Sequence, residues 1–172
     1  QLDELAGGLK EAINSAHNMG TSYPAPSSLT GTRTFINANL QSIQIQNGDV
    51  RFTIFDSEGN QVATTSLGGD LGFTEGTIAE MTTTIQDWLR SPNGANLPQA
   101  VVEINEDGNL VIDTGDSNYS FSIMDTATSA VRSEQQDVTI NFAANGTTNY
   151  DRQFSGFSSF FGMNDFCLLY TS

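Results

Sequence analysis

The chain has 172 residues, with six Lys and Arg against twenty Asp and Glu and a formal charge of −14. Such a surface repels phosphate backbones and anionic lipid headgroups, so neither nucleic acid nor a membrane surface is an expected partner. With 37% hydrophobic residues and no long apolar run, it reads as one globular domain with an appendage, or two very small domains, not a membrane-spanning chain.

Residues 2–19 carry the spacing of a helix. Leu2, Leu5, Leu9, Ala12, Ala16 and Met19 recur in three- and four-residue steps, widened by Ala6 and Ile13, and Gly20 is a natural stop. Gly7 and Gly8 lie inside it and each costs about 0.8–1 kcal/mol relative to Ala. An isolated helix of this length is marginal in water even without glycines. Its apolar stripe therefore needs a partner, expected outside the chain, because Pro24-Ala25-Pro26-Ser27-Ser28 reads as a linker.

From Thr32 the pattern becomes strand-like. Val50, Phe52 and Ile54 alternate with Arg51, Thr53 and Phe55, and a turn at 56–60 leads to a strand at Val62. Val102 and Ile104, a turn at 105–109, then Leu110 and Ile112 repeat that shape, so two β-hairpins are expected, each with a Gly at positive φ. Between them a helix is predicted over about 77–90. Thr77 and Glu80 have capping-box spacing, Ile78, Met81, Ile85, Trp88 and Leu89 form the apolar stripe, and Ser91-Pro92 ends it. Trp88 is expected to anchor this helix on the sheet. Tyr119, Phe121 and Ile123, then Val138, Ile140 and Phe142, alternate with polar residues, as in antiparallel strands with one apolar and one wet face. The fold class is α+β: an antiparallel β-rich domain with one covering helix, plus an N-terminal helical arm belonging to a coiled-coil-like region.

Near the end, Gly156-Phe157-Ser158-Ser159-Phe160-Phe161-Gly162-Met163-Asn164-Asp165-Phe166 sets four aromatic rings and two glycines beside an Asn-Asp pair. So much aromatic surface must pack on something: Phe154, Phe157, Phe160 and Phe161 are core of a terminal turn, or dock a neighbouring domain or subunit, or both.

No catalytic constellation stands out, and neither a cofactor nor a metal site is expected. Gly156-Phe157-Ser158-Ser159-Phe160 fails the Gly-x-Ser-x-Gly nucleophile pattern at its last position. His17 has no Cys, Asp or Glu within one turn on its own helix face and reads as a polar contact in a helix–helix seam. The acidic turns at 56–58 and 113–118 could hold calcium but do not match the twelve-residue loop signature, and Asp, Asn and Gly have ordinary reasons to occupy turns. The lone Cys167 excludes an internal disulfide. No basic stretch followed by an apolar core opens the sequence, so no cleavable signal peptide is expected.

Three separated segments resemble the FlgK family, the flagellar hook-associated proteins at the hook–filament junction. The aromatic run is similar to that family's Gly-Phe-Ser-x-Phe-Phe-Gly-Leu-Asn-Asp, with Met163 where Leu is usual. The helix with Leu2, Leu5, Ala6, Asn14, His17 and Gly20 resembles the family's Leu-x-x-Leu-Ala…Asn-x-x-His-x-x-Gly helix near the end of its N-terminal helical region. The middle, with its capped helix and the Ala100–Leu110 and Ser120–Thr126 segments, resembles the outer β-rich domain.

The resemblance implies a structural, non-enzymatic subunit joining hook to filament. Its partners are other copies of itself and neighbouring hook and hook-associated proteins, and it leaves the cell through the flagellar type III export channel. It implies assembly or packing roles for Leu2, Leu5, Leu9, Ile13, Asn14, His17, Phe157, Phe160, Phe161, Asn164 and Asp165. The layout expected is a helical arm (1–20), a linker (21–31), a β-rich outer domain (32–153) and an aromatic return segment (154–166). The family's long terminal helices are missing, so the chain reads as an internal fragment, and residues 167–172, which no longer follow the family, read as non-native. Two other readings stay open: a secreted β-domain binding carbohydrate or calcium, with Trp88 or Tyr119 on a ligand face, and an acidic hydrolase.

Overall fold

Alternation of apolar and polar residues lays down short strands, and tight turns join some of them into hairpins. The structure, a computed structural model, describes residues 5–9, 25–127, 136–146 and 149–163. In chain order its elements are β1 (Ser28–Thr34), β2 (Ser42–Gln46), β3 (Asp49–Phe55), β4 (Gln61–Ser66), β5 (Glu75–Thr77), α1 (Ile78–Arg90), β6 (Val101–Ile104), β7 (Asn109–Asp113), β8 (Ser120–Thr126), β9 (Thr139–Ala143), β10 (Arg152–Ser155) and α2 (Phe157–Phe161). Residues 5–9 are helical. The rest of the predicted arm lies outside the described residues.

Both expected hairpins form, β3 with β4 and β6 with β7, and Gly59 and Gly108 in their turns have φ of 83° and 82°. Instead of one sheet, the strands make three small antiparallel ones: β1-β7-β6, β10-β9-β2-β5 and β4-β3-β8. Each sheet is completed by a strand distant in sequence, since β8 adds to β3, β1 to β7, and β2 sits between β9 and β5. The inward residues of all three share one core, including Ile43, Phe52, Ile54, Leu110, Phe121 and Ile140.

The expected wet faces are not uniformly wet. On β4-β3-β8, Thr53, Ser66 and Ser122 are buried, and Thr53 Oγ1 lies 3.2 Å from Thr64 Oγ1. These side chains are short, and cross-strand neighbours shade them.

The later part of the linker expected at 21–31 is strand instead. Strand β1 begins at Ser28 and pairs with β7 from Asp113, while the Ser27 and Pro26 carbonyls accept from the Thr114 and Phe121 amides, 2.9 Å in each case. Proline marks a stretch that cannot continue a helix but does not stop its carbonyls from accepting.

Helix α1 starts where its capping box predicts. Thr77 Oγ1 accepts from the Glu80 amide at 3.1 Å, and Glu80 Oε2 accepts from the Thr77 amide at 2.8 Å. Ile78, Met81, Ile85 and Leu89 are buried beneath it. Val102 N–H donates to Gln86 Oε1 at 3.0 Å and Arg90 Nε to the Ala100 carbonyl at 2.7 Å, which ties the helix to β6 and the residue before it. Trp88 packs against the core but is only partly buried, at the margin of the stripe beside Gly94, so the fully buried anchors are Ile78, Met81, Ile85 and Leu89. Thr77→Ala should cost about 1 kcal/mol, read as a lower urea midpoint, because it removes the cap acceptor; an unchanged midpoint would mean that the box adds nothing in this context.

Candidate assembly site

The aromatic run folds as predicted for a chain that turns sharply. Five residues form α2, and Gly162 (φ 71°) closes it in the left-handed conformation. Gly162 N–H donates to the Ser159 carbonyl at 3.2 Å and Met163 N–H to the Ser158 carbonyl at 2.8 Å, a Schellman closure that a side chain at 162 would strain.

Phe157, Phe160 and Phe161 are 0%, 1% and 0% exposed. They are core of the terminal turn, packed within this chain. The rings reach all three sheets. Phe157 stands edge-on to Phe52 of β3 at 5.9 Å, and Phe160 lies 5.7 Å from Phe142 of β9 and 5.1 Å from Phe154 of β10. Phe161 lies 5.4 Å from Phe35, just past β1.

The same helix meets the incoming strand. Along β1 the residues Leu29, Gly31 and Arg33 take the more buried positions. A Cβ on Gly31 would sit 2.2 Å from the Phe161 carbonyl oxygen, so only glycine lets β1 approach so closely. Thr32 N–H donates to the Gly162 carbonyl at 3.2 Å. Arg33 lays its guanidinium over the rings of Phe154 (4.5 Å) and Phe160 (4.7 Å), and its Nε donates to the Phe160 carbonyl. Burial, and then the nearby charge of Arg152, lower the Arg33 pKa from its ordinary value. The first strand and the last helix of the described β-rich body therefore meet.

Among the other expected assembly residues, Leu5 and Leu9 are 71% and 60% exposed. Leu2, Ile13, Asn14, His17, Asn164 and Asp165 lie outside the described residues, as does Cys167. Ile36 and Leu40, exposed in the loop after β1, add apolar surface that no motif announced.

The acidic turns direct their oxygens at their own backbone. Asp56 Oδ1 accepts from the Glu58 and Asn60 amides at 2.9 Å each, and the Asn60 side chain, the largest cause, helps hold its carboxyl below the usual range. Asp113 Oδ1 accepts from Gly115 N–H at 2.7 Å and Asp116 Oδ1 from Asn118 N–H at 2.9 Å. No group of three or more His, Cys, Asp or Glu placed to hold a metal occurs among the described residues. None of their helices is long and apolar enough to cross a membrane.

Two buried carboxylates escaped sequence reasoning. Asp49 Oδ1 accepts from Gly68 N–H (2.7 Å) and its Oδ2 from Gly69 N–H (2.9 Å), which pins the turn after β4. Asp125 takes an inward position on β8 after Phe121 and Ile123, a place where an acid is out of pattern, and that is the signal that could have found it. Separately, Tyr119 lines an open cleft of about 440 Å³ with Asn96, Gln99, Thr114, Asp116 and Ser117.

No family model matches the chain, and neither a curated protein nor a solved structure matches it.

Proposed function

We propose that this chain is part of a structural subunit of the bacterial flagellum that joins hook to filament, as its resemblance to the FlgK family implies, and that it carries out no catalysis. The observation that carries the reading is the meeting of β1 with α2. A body whose chain arrives and departs side by side can be inserted into a helical scaffold without forcing the scaffold apart. The exposed Leu5 and Leu9 fit the same reading, since a short helix with an uncovered leucine stripe gains most of its stability from packing on another helix. Such partners are further copies of the chain and the neighbouring hook and hook-associated proteins. The acidic, hydroxyl-rich composition suits an extracellular position.

Gold-labelled antibody against this chain, applied to flagella sheared from the source bacterium, provides the test. Label confined to a narrow band between hook and filament is expected. Flagella that carry no label at that position would overturn the assignment.

The cleft beside Tyr119 favours one second reading, a secreted β-domain that binds a neutral saccharide. Amides, hydroxyls and an aromatic edge line it, the groups that recognise polyhydroxylated ligands. Saturable NMR shifts at Asn96, Gln99 and Tyr119 on titration with neutral oligosaccharides would support it, and unchanged spectra at millimolar sugar would end it.

A further inference from the structure

Asp125 is fully buried, and its two oxygens have opposite fates. Oδ2 accepts from the Val138 amide at 3.2 Å, just before β9, and from the Phe157 amide at 3.1 Å, the first residue of α2. Oδ1 has no hydrogen-bond partner. One side chain on β8 thus ties together two segments far along the chain, and Gly156 N–H donating to the Val138 carbonyl at 2.8 Å closes the same joint.

Few charges bear on it. Across β3 it pairs with Val50, and the neighbouring Asp49 gives its carboxylate to the Gly68 and Gly69 amides. Helix α2 contributes only Phe and Ser side chains. From β10, Ser155 Oγ reaches Asp137 Oδ2 at 3.4 Å, while Arg152, three residues away, is electrostatically coupled to Arg33. The charged group that does act on Asp125 is Asp137, and it has the same sign.

We propose that Asp125 is a proton-operated latch on the outgoing segment: protonated, it joins β8, β9 and α2, and once ionised it loosens α2 from the body. An ionised carboxylate accepts more strongly from the two amides, but it leaves a charged, unpartnered Oδ1 in the core, and the second effect is the larger. Burial, opposed by the Phe157 and Val138 amides and reinforced by Asp137, pushes the carboxyl from 3.8 up to about 7.

When the segment lifts, the carboxyl regains water and its ordinary value. Below 3.8 both states hold the proton and the latch is at full strength. Between 3.8 and about 7 only the closed state holds it, so closure weakens as pH rises, and above 7 the loss levels off. Linkage over this window raises the lifted population on the order of a hundredfold between about pH 5 and about pH 8. This inference stands apart from the flagellar assignment.

Native-state amide exchange of the 172-residue chain tests it. After correction for intrinsic exchange, protection of the Phe157 and Phe160 amides should fall on the order of a hundredfold across that pH range. In Asp125→Asn, which cannot ionise, the fall should be absent. Equal protection at both pH values in the unmodified chain, or the same fall in the variant, would overturn the latch. Carboxyl carbon-13 NMR provides a variant-free measurement: a midpoint for Asp125 near neutrality is expected, and one in the ordinary carboxylate range would contradict it.

Discussion

Phe160→Ala is expected to be the most damaging single truncation in the chain, lowering stability by about 3–5 kcal/mol in urea unfolding. The ring touches those of Phe35, Phe142, Phe154 and Phe161 at centroid distances of 5.8, 5.7, 5.1 and 4.8 Å, and it carries the Arg33 guanidinium on its face. Those contacts come from β9 and β10 of one sheet, from Arg33 on β1 of another, from the segment past β1 and from α2 itself, so the vacated space has no single neighbour able to collapse into it. Folded domains hold only about 5–15 kcal/mol in reserve, so a loss of this size should leave a large unfolded fraction at modest denaturant. Ile36→Ala, at a residue 93% exposed, is the control and should change stability by less than about 0.5 kcal/mol. Similar small losses from both variants would mean that the aromatic segment is not core.

Gly31→Ala should cost about 2–3 kcal/mol although it adds only one methyl group. The new carbon would lie 2.2 Å from the Phe161 carbonyl oxygen and 3.7 Å from that of Leu110. The nearer clash is with backbone, so no rotamer relieves it, and either β1 or α2 must move. Two interactions that depend on close approach should weaken with it: the Thr32 to Gly162 hydrogen bond and the seat of Arg33 on Phe160. The measurement is the urea midpoint together with exchange at the Thr32 amide. A variant as stable as the parent, with Thr32 equally protected, would show that the two segments are not in contact. Gly7→Ala, where nothing lies within 4 Å, is the matched control and should be neutral or favour the helix.

Local chemistry made much of this fold legible. Thr77 and Glu80 fixed the start of α1, and alternation in 50–54 and 138–142 fixed strands and their inward faces, because those signals act over a few residues. Division into three sheets was not legible, because it depends on pairings such as β1 with β7 across about eighty residues, which no local pattern encodes. Strand β2 was readable in hindsight: Ile43 and Ile45 alternate with polar residues and run into Asn47-Gly48, whose φ values are 58° and 155°.

The aromatic segment shows the same limit at the candidate site. Sequence identified rings that had to be covered but left open what covers them, and the answer lay in Phe35, Phe52 and Phe142 from distant parts of the chain. Arg33 and Asp125 were missed for a related reason. Each is a charged residue in an inward register position, where its role is set by partners that fold onto it later.

One backbone contact decides whether β1 and α2 meet, the observation on which the proposed inserted body rests. The most direct measurement is the NMR scalar coupling transmitted through a hydrogen bond, between the Thr32 amide nitrogen and the Gly162 carbonyl carbon. The 3.2 Å N–H···O contact predicts a detectable coupling and a Thr32 amide protected from exchange. No coupling, with Thr32 exchanging as fast as an unstructured peptide, would separate the two segments and remove the ground for an inserted body.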